Sequence, residues 1–315
     1  MNNTIQKKLN YFFVTIISFV SFFSVLYYGF IAVNPFDNFA TYHTANNILN
    51  GNIPFKDYWE SSGLLTDLFQ AFFFKIFGVN WLSYTLHAGI LNTIFSLTLY
   101  FVLLNFDLDK IYSLFYSICL SVISNTQVGT AFLDHHSIIY TLIGLLFFFV
   151  AIKNDDKKLF FFIPILFSIA FLTKQVPAVY VAIIVSVGIV YKTLISGKYV
   201  NFVYALIGTL FSLTIFSTLL FVFDINFQSF FKQYIIFPTD ISSERFNADF
   251  LFPIEFNRYF LRYKLLHISY FGILAIIVFH FSKNKFFFKK SNFIIQLSLI
   301  LTCYALIIHQ MLTMN

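Results

Sequence analysis

Apolar runs of 15 to 24 residues recur nine times along the 315-residue chain, at roughly 11–33, 81–104, 111–129, 136–152, 159–173, 176–191, 200–223, 266–282 and 292–309. A helix crosses a bilayer core of about 30 Å with about 20 apolar residues. Inside lipid only helices and closed barrels satisfy every backbone N–H and C=O, and runs of this length without strict alternation read as helices. The expected fold is therefore all-α: one polytopic transmembrane bundle of about nine spans occupying residues 1–315. Composition agrees, with 59% hydrophobic and 11% charged residues and a mean hydropathy of +0.79, outside the range of soluble globular domains. The first run follows Lys7 and Lys8, exceeds a signal-peptide core in length and ends without a small-residue cleavage site, so it reads as a retained span.

Charge sets the expected topology. If the stretch "TKQVP" breaks residues 159–191 into two helices, the N-terminus and the loops near 105–110, 153–158, 192–199 and 283–290 share one side. That side then holds 12 of the 20 Lys and Arg against four acids, Asp107, Asp109, Asp155 and Asp156. The opposite side, with the long loops 34–80 and 224–265, receives 8 basic residues and 10 acids. The positive-inside rule assigns the Lys-rich side and the N-terminus to the cytoplasm. Without the break, "KNKFFFKK" would face outward against that rule.

The same distribution excludes several functions. The Lys clusters lie between apolar runs and serve topology, so no nucleic-acid partner is expected. Cys119 and Cys303 sit inside apolar runs, which leaves neither a disulfide framework nor a thiolate metal site. No Walker, G-x-G-x-x-G or Ser-His-Asp pattern occurs, against use of ATP or nucleotide sugars. Ion-coupled transporters place ionisable groups near the midplane, whereas here only His87 and His280 fall inside the apolar runs away from their ends. The polar chemistry gathers instead on the acid-bearing side.

In the first long loop, Asp37 stands where Asp commonly caps a helix, and Phe39, Tyr42, His43, Ile48 and Leu49 follow at near-helical spacing until Gly51. After "GNIPF", the segment "KDYWESSG" leads into "LLTDLFQAFFFKIFG", whose apolar face is interrupted by Asp67, Gln70 and Lys75. Both pieces read as amphipathic helices on the outer interface. Asp57 and Glu60, three apart, are candidates to orient an acceptor or a cation. Asp134, His135 and His136 are the candidate metal ligands, although a metal site needs three or four converging donors, and a substrate-binding role for the two histidines competes with it. Arg245, and Arg258 with Arg262, suit phosphate or sugar-phosphate binding.

The order of one span, an Asp opening an amphipathic helix, "NNILNGNIPFKDYWESSG", an aromatic helix ending "FKIFG", and "FLTKQVP" at an outer helix end resembles the GT-C glycosyltransferases. Within them it is most similar to the protein mannosyltransferase and aminoarabinose transferase-like group, family 39, over residues 30–180. The resemblance implies transfer of a sugar from a polyprenyl-phosphate donor to a glycan, lipid or protein acceptor at the non-cytoplasmic face, in a bacterial inner membrane. It implies Asp37 as general base, a carboxylate taking the acceptor's hydroxyl proton, and Lys174 as a holder of the lipid phosphate. The chain has Asn38 where a Glu often follows that Asp. No cofactor beyond a divalent metal is implied, and relatives that continue past the last span suggest that residues 1–315 are a fragment. A lipid-linked sugar or polysaccharide transporter and a non-catalytic membrane assembly subunit are the competing classes.

Overall fold

The computed structural model describes residues 3–31, 35–247, 263–283 and 291–313. Among these residues the chain is helical, with no strand beyond an isolated bridge between Pro54 and Tyr58. Long helices α1 (Asn3–Ile31), α4 (Trp81–Asn105), α6 (Leu133–Asn154), α8 (Gln175–Ser196), α9 (Tyr199–Val222), α12 (Lys264–Lys283) and α13 (Ser291–Thr313) make up the seven that are long and apolar enough to cross a membrane. This is the signature of a multi-pass membrane protein. Two further helices, α5 (Lys110–Ile123) and α7 (Lys157–Thr173), lie where spans are expected but are shorter, about 21 and 26 Å at 1.5 Å per residue. Short helices α2 (Pro35–Leu49), α3 (Leu64–Phe77), α10 (Phe227–Phe231) and α11 (Phe237–Asn247), with a π-helical turn at Lys232–Ile236, complete the chain.

The break at "TKQVP" is present, and its local cause is visible. Proline disfavours helical torsions in the residue before it, and Val176, before Pro177, sits at φ −109°, ψ 132°. Lys174 is likewise extended, closing α7 and opening α8. The α5 helix departs from expectation, stopping at Ile123 where the expected span ran on to residue 129. Polar side chains beyond it turn sideways: Ser124 Oγ donates to Asn92 Oδ1 of α4 (2.6 Å), and Asn125 Nδ2 donates to Ser124 Oγ (3.1 Å). Gly129 in the following irregular stretch lies so close to Gly29 of α1 that a Cβ there would sit 2.1 Å from the Gly29 nitrogen. Only glycine permits that approach.

The main core joins α6, α7, α8, α9 and α13 through Phe148, Ile152, Phe160, Val181, Ala205 and Ile294. Its ends differ in chemistry. At one end Lys153 Nζ donates to Asn105 O and pairs with Asp107 (2.7 Å), while Lys192 and Lys198 pair with Asp155 (3.2 and 2.8 Å). Burial works to raise the Asp155 carboxyl, but those two lysines win and hold it below the usual range. The opposite end carries α2, α3, residues 50–63 and the segment from α10 to α11. Acids outnumber bases there, as the separation of charge along the sequence anticipates.

Candidate functional site

At the acid-bearing end, residues 50–63 are stapled to elements far away in sequence. Gly63 N–H donates to Thr173 O at the end of α7 (2.8 Å), and Gln175 Nε2 donates to Ser61 O (2.8 Å) and Tyr234 O (2.7 Å). Gln233 in the π-helical turn accepts from Glu60 N–H (2.8 Å) and donates to Phe55 O (3.1 Å). Tyr234 OH donates to Phe171 O (2.8 Å). Single π-helical turns frequently mark functional positions; this one aims two consecutive side chains at the first loop and α7.

These contacts bury Glu60 beside Asp67. Glu60 is 5% exposed and Asp67 2%. Ser62 N–H donates to Glu60 Oε1 (3.1 Å), while Glu60 Oε2 and Asp67 Oδ1 lie buried without a hydrogen-bond partner. Burial pushes the Glu60 carboxyl up to about 7, against backbone hydrogen bonds from Ser62 and Ser61 that lower it. Burial, and then the neighbouring Glu60 charge, drives Asp67 well above the usual carboxylate range. Like charges this close cannot both ionise unaided in a low-dielectric site. Burial also raises the Tyr58 phenol, with the charges of Glu60 and Asp67 adding to it.

Helices α2 and α3 present their polar side inward. On α2, Asn38, Thr41 and Ala45 are buried while Phe39 and Leu49 are exposed. On α3, Thr66, Asp67, Gln70 and Phe74 are buried, and Phe69, Phe72, Ile76 and Phe77 face outward. What sequence reading missed is the partner of the other face: Asp67 and Gln70, taken as interruptions of an apolar stripe, are its buried centre. Their i, i+3 spacing on an otherwise apolar helix was the available signal. Gln70 Oε1 lies 3.0 Å from His87 Nδ1, and the His87 ring packs edge-on to that of His136 at 4.8 Å.

The other expected site residues have these places. Helix α2 starts at Pro35, so Asp37 is its third residue and not the cap expected from the sequence. Proline suits a first helical position because its missing N–H has no partner there anyway and its φ is already helical. The Asp37 side chain lies outside the described residues, as do the side chain of Arg245, on α11, and all of Arg258 and Arg262. Asp57 is not directed toward Glu60; its Oδ2 accepts from Ile53 N–H (2.7 Å) and closes the turn at 53–57. Asp134 pairs with Lys174, His135 lies edge-on to Phe132 at 5.3 Å, and His136 Nδ1 faces Phe132 O at 3.1 Å. Asp134 thus faces Lys174 while both histidines lie against Phe132, and among the described residues no three His, Cys, Asp or Glu form a metal-holding group.

An apolar cavity of about 560 Å³ lies between α7, α8 and α9, lined by Phe167, Ala178, Ala182, Ala205 and Phe216 among others, and bounded by Phe230, Phe231 and Ile235. It leads to the acid-bearing end. Leu172 and Ala178 both line it and flank Lys174 in the chain, and Phe230, in its wall, packs against Phe55 and Tyr234 at 5.2 and 5.3 Å. A long apolar tail beside a polar head site is the chemistry such an arrangement accommodates. Compared with protein-family models, curated proteins and solved structures, the chain matches none.

Proposed function

We propose that the protein is a nine-pass glycosyltransferase that moves a sugar from a polyprenyl-phosphate donor to an acceptor at the non-cytoplasmic membrane face. The observation that carries this reading is that the apolar cavity reaches the acid-bearing end of the bundle, where its wall residues Leu172 and Ala178 flank Lys174 in the chain. The donor's isoprenoid chain occupies the cavity, and its phosphate meets Lys174, whose Nζ is already positioned by Asp134. Asp37, opening α2 at the same end, takes the proton from the acceptor hydroxyl as it attacks the anomeric carbon. The phosphate leaves as an anion, so it needs cationic stabilisation and no strong acid. The Glu60–Asp67 pair, pinned through Gln233, forms the buried floor under α2.

The reading is tested by incubating the purified full-length chain in lipid nanodiscs with polyprenyl-phosphate sugars and candidate acceptors. Donor consumption with release of polyprenyl phosphate is the expected result. An intact donor across a panel of sugars and acceptors counts against catalysis and favours transport or assembly roles.

Orientation has its own test. The Lys-bearing end belongs in the cytoplasm by the positive-inside rule. With Cys119 and Cys303 replaced, a cysteine at Ser243, exposed on α11, should react with a membrane-impermeant maleimide added outside. One at Ser196, exposed at the Lys-bearing end of α8, should react only after permeabilisation. Equal labelling of both in intact cells removes the single-sided site.

A further inference from the structure

We propose that a second, smaller cavity at the acid-bearing end holds one acyl chain of a bilayer phospholipid. This cavity, of about 170 Å³, lies against the turn that follows α2 and is walled by Ile53 and Pro54 of that turn, Leu64 and Leu68 of α3, and Phe216 and Leu220 of α9. The two α3 residues stand four apart and so do the two of α9, so each helix gives the cavity one apolar face. The turn folds over them because Gly51, at φ 90°, adopts a left-handed conformation that costs glycine nothing sterically. Asn52 N–H then donates back to Asn47 O (3.0 Å), and Ile53 N–H donates to Asp57 Oδ2 (2.7 Å). Leu172 and Phe216 line this cavity and the larger one alike, standing between the two.

Lining, size and mouth decide the occupant. Of the lining residues only Asn52 has a polar side chain, and an apolar cavity of about 150 Å³ stays dry and takes up an apolar guest. Left empty, its walls would forfeit dispersion contacts on one side. Its mouth opens among side chains that face lipid: Leu219 and Phe223, both in the lining, are exposed, and Phe221 and Val222 beside them are 87% and 66% exposed at the end of a helix apolar enough to cross the membrane. Gly51 and Asn52, exposed lining residues of the turn, give the mouth a polar edge, and Lys56, paired with Asp224 at 2.8 Å, stands just beyond them in the chain. Apolar on one side and polar on the other, this is the entrance a chain hanging from a headgroup would use. An unbranched acyl chain is narrower than a methyl-branched isoprenoid, which suits the smaller of the two cavities. Once inside, it packs against Ile53 and Pro54 and braces the loop that carries Glu60.

The site is independent of sugar transfer, and neither donor nor acceptor enters its test. Full-length protein is reconstituted in nanodiscs of phosphatidylcholine doped with the same lipid bearing a diazirine midway along one acyl chain. After irradiation, adducts are mapped by peptide mass spectrometry. Leu64 and Leu220 line the cavity and are only 8% and 7% exposed, so a carbene reaches them from within it. The expected result is adducts on both, besides those on lipid-facing residues of α12 such as Phe271 and Ile276, each 55% exposed. Leu65→Trp fills the cavity from α3 and should abolish the Leu64 and Leu220 adducts while leaving those on α12 unchanged. Leu219→Trp fills it from α9 and takes over if Leu65→Trp does not fold. Labelling of the unaltered protein confined to α12 and other exposed faces overturns the proposal. So does persistence of the Leu64 and Leu220 adducts in a folded, cavity-filled variant.

Discussion

Asp37→Asn is expected to lower sugar transfer by about a hundred- to ten-thousand-fold, the usual consequence of removing a general base, while the protein stays folded and still binds its donor. The change is nearly isosteric and removes the carboxylate's charge and basicity. Because α2 begins at Pro35, Asp37 lies inside the first helical turn, and its structural contribution there is the interaction of its charge with the helix N-terminus, about 0.3–1 kcal/mol. Asp37→Ala loses the same term and no cap, so it should fold as well as Asp37→Asn and be as inactive. Kinetics of transfer, donor binding by pull-down with a lipid-linked sugar, and thermal unfolding in detergent separate the two contributions. Near-normal transfer by Asp37→Asn would rule out the base assignment. Glu60 then becomes the leading carboxyl, since its position at the acid-bearing end is defined by Gln233 and Ser62.

The second large effect is expected from filling the cavity. Ala182 on α8 lines it, and Ala182→Trp places an indole where the isoprenoid chain is proposed to run. The loss is steric. A polyprenyl tail leaving lipid for an apolar cavity gains little from the hydrophobic effect, because lipid is as apolar as the cavity wall. What the tail supplies is position, holding the phosphate at Lys174 and the sugar over α2, and small misplacements of reacting groups are costly. A fall of at least about tenfold in kcat/KM for the full-length donor is expected, equivalent to about 1.4 kcal/mol. A donor with one or two isoprene units should be turned over equally by both proteins. Equal loss with short and long donors shows that the substitution disturbs the bundle, and no loss with either removes the cavity from the mechanism.

Much of the architecture is legible in the chain because its causes are local. Apolar length determines where helices can cross lipid, and all nine expected positions carry helices, seven of them long enough by length and composition. The break at Lys174 follows from Pro177 two residues after Gln175, and the separation of Lys from acid follows from how the loops alternate. Residues 37–60 were recognisable as an unusual polar stretch soon after the first span for the same reason.

Which members of that stretch matter is not local. Asp57 and Glu60 are three residues apart and chemically alike, yet one closes a turn on Ile53 and the other is buried. The difference is made by Gln233, 173 positions from Glu60, and by Gln175 and Thr173, which fix the neighbouring Ser61 and Gly63. Likewise, the spacing of α2 and α3 shows that each has a polar side, but not that the two polar sides, carrying Thr41 and Asp67, turn inward against each other beneath residues 50–63. Helix periodicity is a property of one segment, whereas burial of a carboxylate depends on every segment that surrounds it. The sequence alone determined that this chain fills a membrane with helices and keeps its acids at one end; only the tertiary structure decided that Glu60 and Asp67 are buried together, because the groups that exclude water from them come from distant parts of the chain.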